Sequence, residues 1–222
     1  MLLPALSKAR EAAQKIKCVS NQKQCALAYD IYSSDYEGFV PVSTYPYGGV
    51  QRQGLDNLRI TGYVNKSDVL VCPSFAPYHI ETPGGVAQNT YGILLPAGWY
   101  TRGTDGFIYE TCALGTWSCY KIWSMRRPAS FMLLEDTVRV SDGMQYKTWA
   151  AHVSGSGPHF RHSNNLCNAI FVDGHAESTT RDRFIDAYRK GVITFDTPAS
   201  HNLYLYIGNA YAEFLASGLS KL

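Results

Sequence analysis

None of the six cysteines belongs to a Cys-x-x-Cys pair, so neither a zinc ribbon nor a thioredoxin-like redox motif is expected. The sequence also has no phosphate-cradling Gly-x-x-x-x-Gly-Lys loop, no dinucleotide fingerprint and no Gly-x-Ser-x-Gly nucleophile element. Ser154-Gly155-Ser156-Gly157 therefore reads as loop. Charged residues are sparse, at 17%, and the net charge of +2 comes without a dense Lys/Arg block after residue 25 or so, which argues against a nucleic-acid partner. Apolar runs are short. The opening Met1–Leu6 run falls far below the roughly 20 residues that span a bilayer, and it lacks the basic start and cleavage site of a signal peptide. It is the expected end of a longer apolar helix whose beginning lies upstream.

Aromatic residues are what the sequence has in quantity: 13%, with sixteen tyrosines, which excludes global disorder. At 222 residues the chain suits one structural domain, and no repeat or linker divides it. A Tyr-rich composition with an even number of cysteines fits an exported protein in an oxidising compartment. Cys112 and Cys119 bracket a short loop and are a candidate bridge; the other pairings stay open.

From Pro4 to about Ser34 there is no glycine and no second proline, and helix formers dominate, so residues 1–34 are expected to be one long helix and 35–222 a globular head. Leu2, Leu6, Ala9, Ala13, Ile16 and Val19, resuming at Ala26, Leu27 and Ile31, recur at helical spacing. Cys18, Cys25, Tyr29 and Tyr32 form a neighbouring stripe. The later turns are expected under the head and the earlier ones exposed. Asp35–Gly38 and Pro41 end the helix. Strands are expected at Asp68–Cys72, stopped by Pro73, at Thr90–Leu95 and at Phe131–Asp136, whose first four residues are apolar. Phe107–Tyr109 is expected to pair with Tyr120–Trp123. A long loop is expected over Ser141–Asn165. Cys167–Val172 and His175–Ser178 flank Asp173-Gly174, the composition of a two-residue hairpin turn. Helices are expected at Thr180–Lys190 and at Asn202–Leu219. The fold class is α+β, a long N-terminal helix on an antiparallel sheet, with short C-terminal helices.

Met1–Ala13 with the following Cys18–Gln24 segment, Tyr36–Pro41, Cys72-Pro73-Ser74, Tyr91-Gly92, Arg127–Ser130 and the run Arg161-His162, ten residues, Asp173-Gly174-His175 come in an order that resembles the type IV pilin-like and type II secretion pseudopilin-like proteins. Those carry a prepilin-type methylation helix and a C-terminal domain named for His-x9-Asp-Gly; the spacing here is one residue longer. The resemblance covers roughly residues 1–41 and 127–178. It implies a structural subunit of a bacterial secretion or pilus filament, and not an enzyme. It also implies an inner-membrane anchor upstream, a head in the periplasm or at the cell surface, and other pilin-like subunits and the assembly machinery as partners. His162, Asp173, Gly174, His175, Cys72 and Pro73 would be motif residues. Leu2, Leu3, Leu6, Ala9, Ala13 and Ile16 would make the filament contacts.

The residues also suit three further readings. His159, His162, Asp173, His175 and Glu177 are close in sequence and suit a metal or acid/base cluster, against the plainer reading of a loop anchor beside a tight turn. Asp35 and Glu37 resemble a calcium-loop fragment without its full length, and Glu135, Asp136 or Asp142 are other calcium candidates; no cofactor is otherwise expected. Trp99, Tyr100, Trp117, Tyr120, Trp123 and Trp149 suit a glycan- or protein-binding surface, which gives the alternative of an exported, anchored binding module.

Overall fold

The computed structural model describes residues 2–46, 49, 51–75, 85–95, 107–112, 115–149, 155–191, 203–207 and 210–214. Helix α1 (Leu2–Asp35) is followed by strands β1 (Phe39–Pro46) and β2 (Arg52–Gln53) and helix α2 (Leu55–Ile60). Then come β3 (Ile93–Leu94), β4 (Phe107–Cys112), β5 (Gly115–Lys121), β6 (Met132–Glu135) and β7 (Thr137–Arg139). The chain continues through β8 (Thr148–Trp149), β9 (Ser156–Phe160), β10 (Cys167–Phe171), β11 (Ala176–Thr179), α3 (Arg181–Gly191), β12 (Leu203–Ile207) and β13 (Ala210–Phe214). The class is mixed α+β.

The strands form four small sheets, ordered β2-β1-β5-β4, β11-β10-β6, β13-β12-β9-β7 and β3-β8. Most pairings are antiparallel, but β12 pairs β9 and β3 pairs β8 in parallel, so the head is not the purely antiparallel sheet expected. One buried cluster joins the second half of α1 to β6, β10 and α3 through Cys18, Tyr29, Leu134, Ile170 and Phe184.

Helix α1 runs as its composition requires and stops where Glu37 and Gly38 take positive φ, with the Gly38 amide donating to the Ser33 carbonyl at 2.7 Å. The buried positions from Cys18 onward are Asn21, Gln22, Cys25, Ala28, Tyr29 and Ser33, one face at three- and four-residue steps. From Pro4 to Ala13 every residue is exposed. The long helix thus leaves the core just before Cys18, with the Ser163 hydroxyl still reaching Glu11 Oε2 at 3.3 Å.

Several expected elements are corrected. Asp68–Cys72 is no strand: Ser67–Leu70 is a 3-10 turn. Its carbonyls serve α1 instead of a ladder, Asn21 Nδ2 donating to Asp68 and Val71 and the Cys25 thiol to Val69. Thr90–Leu95 contributes only the two residues of β3. The expected loop over Ser141–Asn165 contains β8 and β9; Gly157 and Pro158 hid β9, which pairs them with β7 alone, while β12 pairs only with His159 and Phe160. The last expected helix, Asn202–Leu219, is replaced over its described residues by the antiparallel pair β12–β13, with Ile207 opposite Ala210. Alternating Leu203, Leu205 and Ile207 with tyrosines, ahead of Gly-Asn, is a strand pattern.

The β4–β5 hairpin expected around Cys112 and Cys119 does form, but its register sets Cys112 opposite Gly115 and Cys119 opposite Ile108. Four residues of strand put the two backbones about 13 Å apart, beyond the roughly 7 Å that a disulfide bridges. Cys18, Cys25, Cys72 and Cys167 are buried free thiols.

Candidate functional site

The Cys18 and Cys72 thiols, the Asp136 carboxylate and His162 Nε2 meet under the face of α1, all four residues buried and their potential ligand atoms within 4.8 Å of one another. Each comes from a different part of the chain. Cys18 opens the buried stripe of α1. Cys72 follows the 3-10 turn and is fixed by its own amide, which donates to Gln145 Oε1 at 2.8 Å. Pro73 then turns the chain, the Phe75 amide returning to the Cys72 carbonyl at 2.9 Å.

Asp136 sits between β6 and β7. Its amide donates to the Asn168 carbonyl and its carbonyl accepts from the His159 amide, so β10 and β9 hold its backbone from either side. His162 is set by a tight loop in which its amide and carbonyl exchange hydrogen bonds with Leu166. Asn164 and Asn165 close that loop at positive φ, a region asparagine tolerates better than most residues.

His162 Nε2 lies 2.9 Å from Asp136 Oδ2 and 3.7 Å from the Cys72 sulfur, and the Cys18 thiol donates to Asp136 Oδ1 at 3.2 Å. Asp136 also accepts from the Asn168 amide at 3.1 Å and from Gln22 Nε2 at 3.4 Å. The Tyr91 hydroxyl reaches the Cys18 carbonyl at 3.2 Å and its sulfur at 3.5 Å.

The electrostatics divide the two thiols. Burial pushes the Cys72 thiol up, but hydrogen bonds with Cys18 and His162 outweigh it and bring the group down to about 6. For His162, burial lowers the value while Asp136 and Cys72 raise it, and the net is about 9. Cys18 is held well above its ordinary value by burial, by its bond with Cys72 and by the Asp136 charge. The pocket thus favours a thiolate on Cys72 beside an imidazolium, with Cys18 a protonated donor.

Two thiols, an imidazole and a carboxylate are the donor set of a zinc-type centre. A Cys-His-Asp nucleophilic site is the other chemistry those residues can supply. Here, however, Cys72 and Asp136 face the same imidazole nitrogen, whereas a base that activates a nucleophile is oriented through its other nitrogen.

Of the five sequence-neighbouring residues considered for a metal cluster, only His162 enters this centre. Asp173 and His175 lie apart from it at the tip of the β10–β11 hairpin, partly exposed, with His175 Nδ1 2.5 Å from Asp173 Oδ1 and its ring stacked on Phe171 at 4.1 Å. The turn is longer than the two residues expected. Val172 and Asp173 occupy its centre, the Gly174 amide donates to Phe171, and Gly174 at φ 85° supplies the left-handed position before His175 rejoins Phe171. Glu177 pairs with Arg183 and His159 packs on Phe75.

A second feature is the outward face of α1. Leu6 and Ile16 are 68% and 71% exposed, Leu27 and Ile31 59% and 48%. At about 100° per residue, Leu2, Leu6, Ala9, Ala13, Ile16, Leu27 and Ile31 fall within an arc of about 80°, roughly opposite the arc that holds Cys18, Cys25 and Tyr29. Ser20 and Gln24 interrupt it. The side chains of Leu2 and Leu3 lie outside the described residues. No helix among the described residues is long and apolar enough to cross a membrane.

Of the aromatic residues considered for a binding surface, Tyr120 is buried, donating to the Leu94 carbonyl at 2.9 Å, and Trp123 is exposed. Trp99, Tyr100 and the Trp149 side chain lie outside the described residues. Trp117 joins Tyr32, Tyr36 and Phe39 in lining a groove of about 450 Å³ at the end of α1. No protein-family model, curated protein or solved structure matches the chain.

Proposed function

We propose that this chain is a structural subunit of a bacterial pilin-like filament of the secretion or pilus type, and not an enzyme. The observation that carries the reading is the two-sidedness of α1. One face is packed on the head from Cys18 to Ser33, and the opposite face carries exposed leucine, isoleucine and alanine from Leu6 to Ile31. A solvated helix gains nothing from such a stripe, and every residue of the Pro4–Ala13 segment is exposed, its contact with the head being the Ser163 hydroxyl on Glu11 at 3.3 Å, away from the apolar stripe. Neighbouring copies of the same helix are the cover that fits, with the inner membrane holding the subunit through an apolar segment upstream before assembly, and the exported head outside.

Full burial of Leu6, Ile16, Leu27 and Ile31 contributes about 2 kcal/mol each, or on the order of 8 kcal/mol together. Association of two bodies costs roughly 4–15 kcal/mol in lost freedom. A single pair of helices is therefore weak, and repeated contacts along a filament are what make the stripe useful.

The test places Leu6→Asp and Ile16→Asp in the protein expressed from its native gene. Assembly is expected to stop while the circular dichroism of the head is unchanged. Filaments formed normally by both variants count against the reading. The aromatic groove beside Trp117 supports the alternative, an anchored glycan-binding module, and glycan-array binding abolished by Trp117→Ala would move that alternative first.

A further inference from the structure

We infer that Cys18, Cys72, Asp136 and His162 form a structural zinc site that fastens the N-terminal helix to the head at the point where the helix emerges. Four different segments converge here on one small volume, with two sulfurs, one imidazole nitrogen and one carboxylate, a set that matches a d10 metal of intermediate softness better than calcium or magnesium, which take oxygen donors.

The four ligand atoms, within 4.8 Å of one another, approach the spacing of a tetrahedron. Bond lengths of about 2.0–2.3 Å imply ligand-to-ligand edges of roughly 3.3–3.8 Å. Sulfur to nitrogen is 3.7 Å, sulfur to carboxylate oxygen 3.2 Å, and nitrogen to the other carboxylate oxygen 2.9 Å. The last two distances run to different oxygens, so Asp136 has to turn one oxygen toward the metal, and its neighbours move slightly outward, to complete the tetrahedron.

A surrounding shell is also in place. Gln22 Nε2 and the Asn168 amide donate to Asp136, and the Tyr91 hydroxyl donates toward Cys18. Ligands of a metal are commonly oriented by such partners. They have a second use, because zinc with two thiolates and one carboxylate leaves one net negative charge in a buried place, and these donors all point at its anionic ligands. When the metal enters, the Cys18 thiol and His162 Nε2 give up their protons, so that it meets two thiolates and a neutral imidazole. Four protein ligands close the coordination sphere, so the centre is structural, with no position left for substrate.

The location gives the site its consequence. Cys18 is the first fully buried residue of α1, and the described residues before it touch solvent. A bond from that turn to β6, to the Cys72 segment and to the His162 loop holds the angle between projecting helix and head. This does not depend on whether the subunit polymerises.

The experiment is metal analysis of the full chain purified under reducing conditions, followed by cobalt(II) titration of the chelator-treated protein. One zinc per chain is expected, with cobalt giving sulfur-to-metal charge-transfer absorption and the intense visible bands of a tetrahedral ion. Cys18→Ser, Cys72→Ser and His162→Gln should each abolish that spectrum, whereas Cys25→Ser and Cys167→Ser, also buried thiols, should keep it. Tyr91→Phe should retain the spectrum but bind 10- to 100-fold more weakly. Should a ligand variant fail to fold, the wild-type cobalt spectrum and stoichiometry still decide the matter. The site is overturned if reduced wild-type protein takes up no stoichiometric zinc or cobalt, or if mass spectrometry finds Cys18 and Cys72 joined as a disulfide in the native protein.

Discussion

The Cys18 thiol donates to the Asp136 carboxylate at 3.2 Å although 118 positions separate them in sequence. That contact joins the helix to the junction of β6 and β7, and Asp136 gathers His162 and the Asn168 amide onto the same carboxylate. It is the member with most partners in the cluster.

Asp136→Ala should therefore be severe. It leaves His162 and the Asn168 amide without their buried acceptor, a loss of about 3–5 kcal/mol. Asp136→Asn preserves shape and part of the bonding and should cost less, about 1–2 kcal/mol. Urea denaturation of the two variants beside the wild type checks the order as well as the size.

The two faces of α1 should respond in opposite ways. Tyr29 is fully buried, so Tyr29→Ala should lose about 3 kcal/mol or more of monomer stability. Leu27→Ser and Ile31→Ser, on the exposed face, should stay within about 0.5 kcal/mol in the isolated subunit. Thermal unfolding at dilute concentration measures all three.

Asp56 is buried and accepts from Arg52 at 2.9 Å, from two nitrogens of Arg59 at 2.9 and 3.0 Å, and from the Ala87 amide at 3.0 Å. Removing it takes the counter-charge from two guanidinium groups that are themselves mostly covered, although both still donate to the Gly85 carbonyl. Asp56→Ala should cost about 3 kcal/mol, and either arginine truncated alone should cost less because the carboxylate keeps its other donors. Chemical denaturation of the three single variants tests the asymmetry.

Two glycines separate steric from conformational need. A Cβ on Gly92 would overlap Thr137, so Gly92→Ala should destabilise by about 2–3 kcal/mol through forced displacement. Gly174 has open space around it but a φ of 85°, so Gly174→Ala should cost only about 1 kcal/mol of backbone strain. The ratio of their melting-temperature shifts is the measurement.

The pH dependence of one surface turn follows from its charge pair. Hydrogen bonding by Arg139 outweighs desolvation and holds the Asp142 carboxyl below its ordinary range, with Arg139 Nε 3.0 Å away. A lowered folded value means that the stabilisation is present above the unfolded value of about 3.9 and is lost as pH falls through the lower, folded one. Because the pair is partly exposed, its worth is below about 1 kcal/mol. Asp142→Asn should be slightly destabilising at pH 6, and the difference from wild type should shrink as pH falls below the ordinary carboxylate range, which thermal unfolding across an acid series measures.

Much of the framework was legible where local rules dominate. The helix from Pro4 to Asp35 follows from composition and the lack of breakers, the β6 strand from its apolar run, and the β10–β11 hairpin from Asp173-Gly174 between strand patterns. Cys72 and His162 were marked as motif residues, and Asp136 as a possible calcium ligand. Their meeting was not legible, because spacing relates only sequence neighbours such as His159 to Glu177, while the cluster takes its members from α1 to the loop after β9. Asp68–Cys72 failed as a strand for a related reason: side chains of α1, supplied from a distant segment, took the carbonyls that a ladder would have used.

By itself, then, the sequence determined the elements whose hydrogen bonds close within a few residues, together with the two apolar stripes of α1, since periodicity alone places residues on a helix face. Only the tertiary structure decided which stripe the head covers and which stays open. It alone brought two thiols, a carboxylate and an imidazole to one point, because burial and ligand convergence are properties of segments that meet in space, and nothing in the local spacing of Cys18, Cys72, Asp136 and His162 records that meeting.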